Sequence, residues 1–222
     1  GIAMAGVIGI IKSWPIITQA VGLAGRELKG STGNTKSIRW QQDISMKHIA
    51  YFVAIALIAV LVFFWLGVIH TFWQALIAWL VVAVIAFLFT TVAANAIAIV
   101  GSNPVRGMTF MTLIIASAVF VAIGLKGASG MVASMVIGGV VCTALSMAGG
   151  LVTDLKVGYW LGSTPRKQEQ WKFLGTLVSA ATVGGVIMLL NKVYGFAGPD
   201  ALSAPQANAM ASVLEPMMTG QE

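Results

Sequence analysis

Long apolar stretches dominate the pattern of this chain, and the longest runs from residue 48 to residue 105 without an Asp, Glu, Lys or Arg. The outward face of a helix on a soluble protein needs polar side chains, so a run of this length does not fit a soluble domain. A bilayer core about 30 Å thick requires roughly 20 apolar residues per helix. The run is long enough for two such helices, and the chain is predicted to be an integral membrane protein.

Turn-forming residues divide the apolar sequence into segments of spanning length, which predicts an all-α, polytopic transmembrane bundle with about five spans. Residues 1–29 are apolar but interrupted by Gly and Pro, and predict broken or half-length helices. Residues 30–47 predict a polar loop, 152–164 a short helix and loop at the membrane edge, and 195–222 a loop and a short helix. The chain is interpreted as a single transmembrane domain, and the five spans within 48–194 are predicted at 49–69, 72–100, 108–125, 131–151 and 165–194.

Composition and charge fix the orientation that we expect. Hydrophobic residues make up 58% of the chain and charged residues 9%, against about 25% charged in soluble domains. With five spans, ten basic residues fall on one side, in the segments 26–47 and 152–172 and at Arg106, against Lys126 and Lys192 on the other. The positive-inside rule makes the richer side cytoplasmic. The net charge of +6 is therefore attributed to these loops and not to a nucleic-acid partner, and we expect the plasma (cell inner) membrane.

The sequence offers little for catalysis or metal binding. It has one cysteine, Cys142, and two histidines, and no zinc-ligand spacing is present. No nucleophile elbow, phosphate-binding loop or paired carboxylate is evident. We therefore expect no enzyme activity, no metal site and no cofactor.

A break follows the second predicted span, at Gly101-Ser102-Asn103-Pro104. Proline frees a backbone carbonyl, and the Ser and Asn side chains form hydrogen bonds. Two interpretations stay open: a broken helix at membrane depth that contacts substrate or ions, or a surface turn between two spans. Asn95 lies within the second span, where a buried amide needs a partner. It is either a hydrogen-bonding bridge between helices or a substrate contact.

Asp154 and Lys156 lie at the end of the fourth predicted span. An acid near membrane depth is a candidate for proton coupling. Alternatively, Asp154 forms an ion pair with Lys156, Arg106 or Arg166.

The fourth span also carries small residues at every fourth position, a spacing that lets helices pack closely in lipid. Packing is the simpler interpretation, and a helix that slides during transport is the other. These residues are Gly130, Ser134, Gly138, Cys142, Ser146 and Gly150.

Three short motifs resemble the oligopeptide transporter family, which includes the yellow-stripe metal–chelate transporters. The first is DLKVGYWLGSTPRKQ at 154–168, similar to a family stretch of an acid, Leu or Phe, Lys-Thr-Gly-Tyr and later Pro-Arg-Lys-Gln. This chain departs from it with Val157 for Thr, Trp160 for Leu and Thr153 for Gln. The others are GSNPVRGMT at 101–109 and SAPQA at 203–207, followed by Met210-Ala211.

The resemblance implies a secondary transporter of small peptides or peptide-like metal chelates. It would be coupled to an ion or proton gradient, as a symporter is. Interrupted helices at Ser102, Asn103 and Pro104 and at Gln206 would face the substrate path, with Asn95 nearby. Family members are longer, so the chain is interpreted as a partial segment. Its partners would be the lipid bilayer and either the rest of a longer chain or further copies. The alternatives are a membrane scaffold or accessory subunit that transports nothing, and a channel.

Overall fold

The structure is a computed structural model, and it describes residues 43–101, 103, 105–196 and 205–219, with eight positions between Trp14 and Gly25. Arg106 and Gln206 are described by their backbone alone. The segments outside these ranges include most of the predicted broken helices at 1–29 and of the loop at 30–47. The eight early positions are helical and exposed.

Helices account for nearly all of the described chain, and the predicted all-α membrane fold is confirmed. α1 continues into a π-helical segment, Phe64–Ile69, before the turn into α2. The helices are α1 Met46–Phe63, α2 Phe72–Val100, α3 Val105–Ala122, α4 Gly127–Leu161, α5 Pro165–Val193 and α6 Pro205–Thr219.

Residues that favour a left-handed backbone mark several of the helix ends. Gly101 ends α2 at φ 74° and Gly162 ends α4 at φ 70°, a conformation that glycine adopts at little cost. His70 closes the π-helical segment at φ 55°, which is uncommon for a residue with a side chain. Pro165 occupies the first turn of α5, where its missing N–H is not needed.

Four helices in the described chain are long and apolar enough to cross a bilayer: α1 with its π-helical extension, α2, α4 and α5. The third predicted span corresponds to a shorter apolar helix, Gly107–Ala122. α4 has 35 residues and a length of roughly 52 Å. The short helix and loop predicted at 152–164 differ from the structure in one respect: residues 152–161 are helical, but they continue α4 and do not form a separate helix. Polar residues there predict the end of the apolar, membrane-spanning part of the helix. A helix can continue beyond its apolar part, and α4 ends only at Gly162.

α4 lies at the centre of the described bundle and contacts α2, α3, α5 and α6. The core forms where α2, α3 and α4 meet, because each buries a stripe with helical spacing toward the other two. Its members include Val82, Ile85, Phe89, Ala93 and Ile97 from α2, Leu113, Ala116 and Phe120 from α3, and Ile137, Val141 and Leu145 from α4.

α1 and α5 lie at the edge of the bundle. Neither helix contains a buried residue, although Phe64 and Ile69 of the π-helical segment are buried. One hydrogen bond joins α1 to α2: the Trp79 indole Nε1 donates to the Leu57 carbonyl over 2.8 Å. The apolar faces of α1 and α5 are therefore available to lipid or to further helices.

The small-residue seam of α4 packs as predicted only in its first half. Gly130, Ser134 and Gly138 are buried, and the buried stripe then shifts to Val141, Leu145 and Gly149. A step of four residues advances about 40° beyond a full turn of an α-helix. After three steps a strict four-residue pattern has rotated off the face. This explains why Ser146 is exposed and Cys142 and Gly150 are half-buried.

Candidate functional site

Asn103 is bound to the backbone of α4. Its Nδ2 donates to the Leu145 carbonyl over 3.3 Å. The same amide lies against Gly149, so closely that a Cβ on Gly149 would overlap it and would also lie 2.9 Å from Ile97 Cδ1. Gly149 therefore leaves the space that the Asn103 amide occupies against α4.

Lys172 approaches α4 at the next residue. Its Nζ would lie 3.1 Å from a Cβ on Gly150, and it forms an ion pair with Asp154 Oδ2 at 2.6 Å. Successive residues of an α-helix point about 100° apart. Gly149 and Gly150 therefore receive two different polar groups at one level of α4: the Asn103 amide on one side and the Lys172 ammonium on the other.

Among the described side chains, the partner of Asp154 is thus Lys172, and neither Lys156 nor Arg166 pairs with it; the Arg106 side chain lies outside the description. Lys156 turns away: its Nζ lies 5.5 Å from the centre of the Trp160 ring and 6.0 Å from that of Tyr159, a cation–π arrangement. The sequence does contain a signal for the pairing of Asp154 with Lys172. α4 and α5 are antiparallel neighbours joined by a short turn, and Asp154 and Lys172 are each nine residues from Ser163.

The same symmetry accounts for a second contact in the hairpin of α4 and α5. Gly158 and Gln168 are each five residues from Ser163, and the Gln168 side-chain amide lies directly over Gly158, where a Cβ would overlap it. The turn between them is closed by a hydrogen bond from the Ser163 amide to the Gly158 carbonyl of 2.8 Å. The motif at 154–168, with Lys172, therefore forms a hairpin in contact with itself.

The contacts along α4 also show where the break at Asn103 lies along the length of the bundle. Leu113 of α3 packs at Gly138 and Asn103 at Gly149, so α3 runs antiparallel to α4. The residues before and within the first turn of α1 reach α4 at positions 147–151, beside a cavity. Beyond this level α4 continues for ten residues, roughly 15 Å. The break therefore lies near the level at which α1 begins and α2 ends, and the hairpin of α4 and α5 extends beyond it along α4.

For the other candidate residues, no described contact places the side chain at Gly149 or Gly150. Asn95 is half-buried on α2, and no hydrogen bond of its side chain occurs within the described part of the chain. Ser102 and Pro104 lie outside the described residues. Gln206 belongs to the first turn of α6, a helix that packs against α3 and α4, and its side chain is outside the description.

Two carboxyl groups that the sequence did not predict as a pair meet beside the same cavity. The Glu169 carboxyl faces that of Asp43 and the backbone of Ile44, and Glu169 Oε2 is buried without a hydrogen-bond donor in the described structure. The two residues are far apart in sequence, and no motif links them. The described residues include no group of three or more His, Cys, Asp or Glu placed to hold a metal ion.

The comparison with known families is consistent with this architecture. The sequence profile of the family described as "OPT oligopeptide transporter protein" matches residues 1–222. The chain belongs to the oligopeptide transporter family. Membership of this family points to a transporter rather than an enzyme.

One relative within the oligopeptide transporter family is the Haemophilus influenzae protein named "Putative oligopeptide transporter". The two are 29% identical over 140 residues, which cover 54% of this chain and 22% of the relative. The match therefore spans about a fifth of that relative's length. No solved structure matches the chain.

Proposed function

We propose that this chain is part of a secondary active transporter that moves small peptides or peptide-like metal chelates across a membrane by alternating access, driven by an ion gradient. The observation that carries the proposal is the polar level at Gly149 and Gly150. There, Asn103 on one side of α4 and the Asp154–Lys172 ion pair on the other lie at the end of apolar helices. Family membership and the name of the Haemophilus relative support peptides as cargo.

The proposed roles follow from this geometry and from the family. Ser102, Asn103 and Pro104 shape the binding region, with Asn95 above them on α2 and Gln206 contributed from α6. A metal ion enters only as part of a chelate, as cargo. The partners are the lipid bilayer, the peptide or chelate and either the rest of a longer polypeptide or further copies.

Asp154 is proposed to couple transport to the gradient, with Lys172 as its counter-charge and Lys156 as a neighbouring cation. The proposed coupling ion is a proton, since protonation of Asp154 would break its ion pair with Lys172. Such a release would let α5 move relative to α4 without breaking apolar contacts of the core.

The proposed orientation follows the positive-inside rule. The segments 26–47 and 152–172 would lie in the cytoplasm, and the hairpin of α4 and α5 would project from the inner face of the plasma (cell inner) membrane. The polar level would then form the cytoplasmic end of the substrate path.

The test is transport by the full-length protein in proteoliposomes. Asp154→Asn should abolish gradient-driven peptide uptake and preserve exchange of labelled for unlabelled peptide, because exchange needs no coupling ion. Glu215→Gln, on the exposed side of α6, is the control and should retain both activities.

Unchanged gradient-driven uptake in Asp154→Asn would remove Asp154 from the coupling role. Wild-type protein that moves neither peptide nor chelate would favour the scaffold interpretation. Flux that dissipates any gradient and does not saturate would favour a channel.

A further inference from the structure

A cavity of about 290 Å³ lies between the start of α1, the middle of α4 and the first three turns of α5. It is partly open, and most of its wall is apolar. Its lining residues are Ile44 and Ile49; Met147, Ala148 and Leu151; and Glu169, Lys172, Phe173 and Thr176.

Among the described residues, the charges around this cavity do not balance. Lys172 is the only cation of the described lining, and it is already bound to Asp154. The Asp43 carboxyl accepts a hydrogen bond of 2.7 Å from the Ile44 amide and faces the Glu169 carboxyl. Glu169 Oε2 is buried without a donor in the described structure. Two carboxyl groups that face each other hold at most one proton between them near neutral pH, so within the described structure this end of the cavity keeps a negative charge and offers acceptors to a cationic donor.

We propose that this cavity binds the protonated amino end of a ligand, with its ammonium group at Glu169 and Asp43 and an adjoining apolar side chain against Met147, Leu151 and Phe173. This inference rests on the proposed function, because the free amino end of a peptide is the part of the cargo with this chemistry.

The size and charge of the cavity define the ligand further. A volume of about 290 Å³ has room for roughly ten non-hydrogen atoms, since a water occupies about 30 Å³ in the liquid. That corresponds to one residue with its amino group. A free carboxylate would be repelled by Glu169 and Asp43. The cavity therefore distinguishes the amino end of a peptide from its carboxyl end.

The experiment measures binding of leucinamide to the full-length protein in detergent by titration calorimetry. Leucinamide has an ammonium group and a branched apolar side chain, and 4-methylpentanamide is its analogue without the amine. Wild-type protein should bind leucinamide and should not detectably bind the analogue. Glu169→Gln, which keeps the volume and removes the charge, should weaken leucinamide binding by about tenfold or more, as expected for loss of a charge-assisted contact.

Two further variants separate the site from general effects on folding. Ala148→Leu leaves both carboxyl groups in place and fills the cavity, and it should also lower leucinamide affinity. Glu215→Gln removes an acidic group on α6, away from the cavity, and should leave affinity unchanged. Equal affinity of wild-type protein, Glu169→Gln and Ala148→Leu for leucinamide would overturn the inference, as would equal binding of leucinamide and its uncharged analogue.

Peptide uptake by the same preparations distinguishes this inference from the proposed function. Protein that binds leucinamide through Glu169 but transports no peptide would leave the cavity assignment standing and refute transport. Protein that transports peptide but does not bind leucinamide would refute the cavity assignment alone. The same holds if peptide is transported and the affinity for leucinamide is unchanged in Glu169→Gln.

Discussion

The two sides of α4 at Gly149 and Gly150 differ in how they are held. On the side of α2 and α3, the Asn103 amide binds the Leu145 carbonyl and sits over Gly149 beside Ile97, next to the buried core. On the side of α5, one ion pair and a cavity occupy the same level, and α5 buries no residue in the described structure. In the described structure, one side of the central helix is therefore fixed by close packing, and the other side is joined to α5 by an ion pair beside a cavity.

The largest effect on stability is expected from Gly149→Ala. The added methyl group would overlap the Asn103 amide and crowd Ile97, and overpacking of this kind costs about 1–3 kcal/mol. Thermal unfolding of the full-length protein in detergent should show a clearly lowered midpoint. Gly139→Ala is the matched control, because nothing lies within 4 Å of its Cβ position. An equal loss in both variants would contradict the packed interpretation of this side.

Asn103→Ala should have the next largest effect, since it removes one hydrogen bond to α4. A loss of about 1 kcal/mol is expected, together with a raised apparent KM for peptide uptake if Asn103 also contacts substrate. Asn95→Ala is the comparison on α2, where the amide makes no hydrogen bond in the described structure, and it should leave the unfolding midpoint nearly unchanged. A lowered midpoint with an unaltered KM would make Asn103 purely structural.

Lys172→Met is expected to change stability least. The Asp154 side chain is 61% exposed and that of Lys172 21%. Solvent therefore screens the attraction between the two charges, and water can hydrogen-bond to the Asp154 carboxylate once Lys172 is removed. The free energy of unfolding should fall by less than about 1 kcal/mol, and Lys167→Met, on the exposed side of α5, serves as the control. A loss as large as that of Gly149→Ala would show that the α5 side is held as firmly as the other.

The apolar runs were sufficient to predict the fold class, because charge-free stretches of this length have few other structures available. Helix ends were predicted where a backbone signal marks them, as at Gly101 and Thr164-Pro165. The end of α4 differs from the prediction because Asp154 and Lys156 mark the end of the apolar stretch, whereas polar residues do not stop a helix. The π-helical segment after Phe63 carries no comparable signal.

The sequence names Asn103 and Asp154 as candidate site residues, and that role stays a prediction. The structure places Asn103 against Gly149 of α4 and Asp154 further along the same helix, paired with Lys172. Lys172 was missed although its distance from the turn matches that of Asp154. The proximity of Asp43 and Glu169 could not be predicted from the sequence, since it depends on how α1 and α5 both pack near α4.

The symmetry of the hairpin around Ser163 constrains how the chain can change in evolution. Connecting turns usually tolerate insertions and deletions. Here one residue added between Gly162 and Thr164 would move every position of α5 by about 1.5 Å and 100° relative to α4. Gln168 would leave Gly158 and Lys172 would leave Asp154 in a single step. The length of this turn should therefore be held more strictly across relatives than the identity of the residues within it.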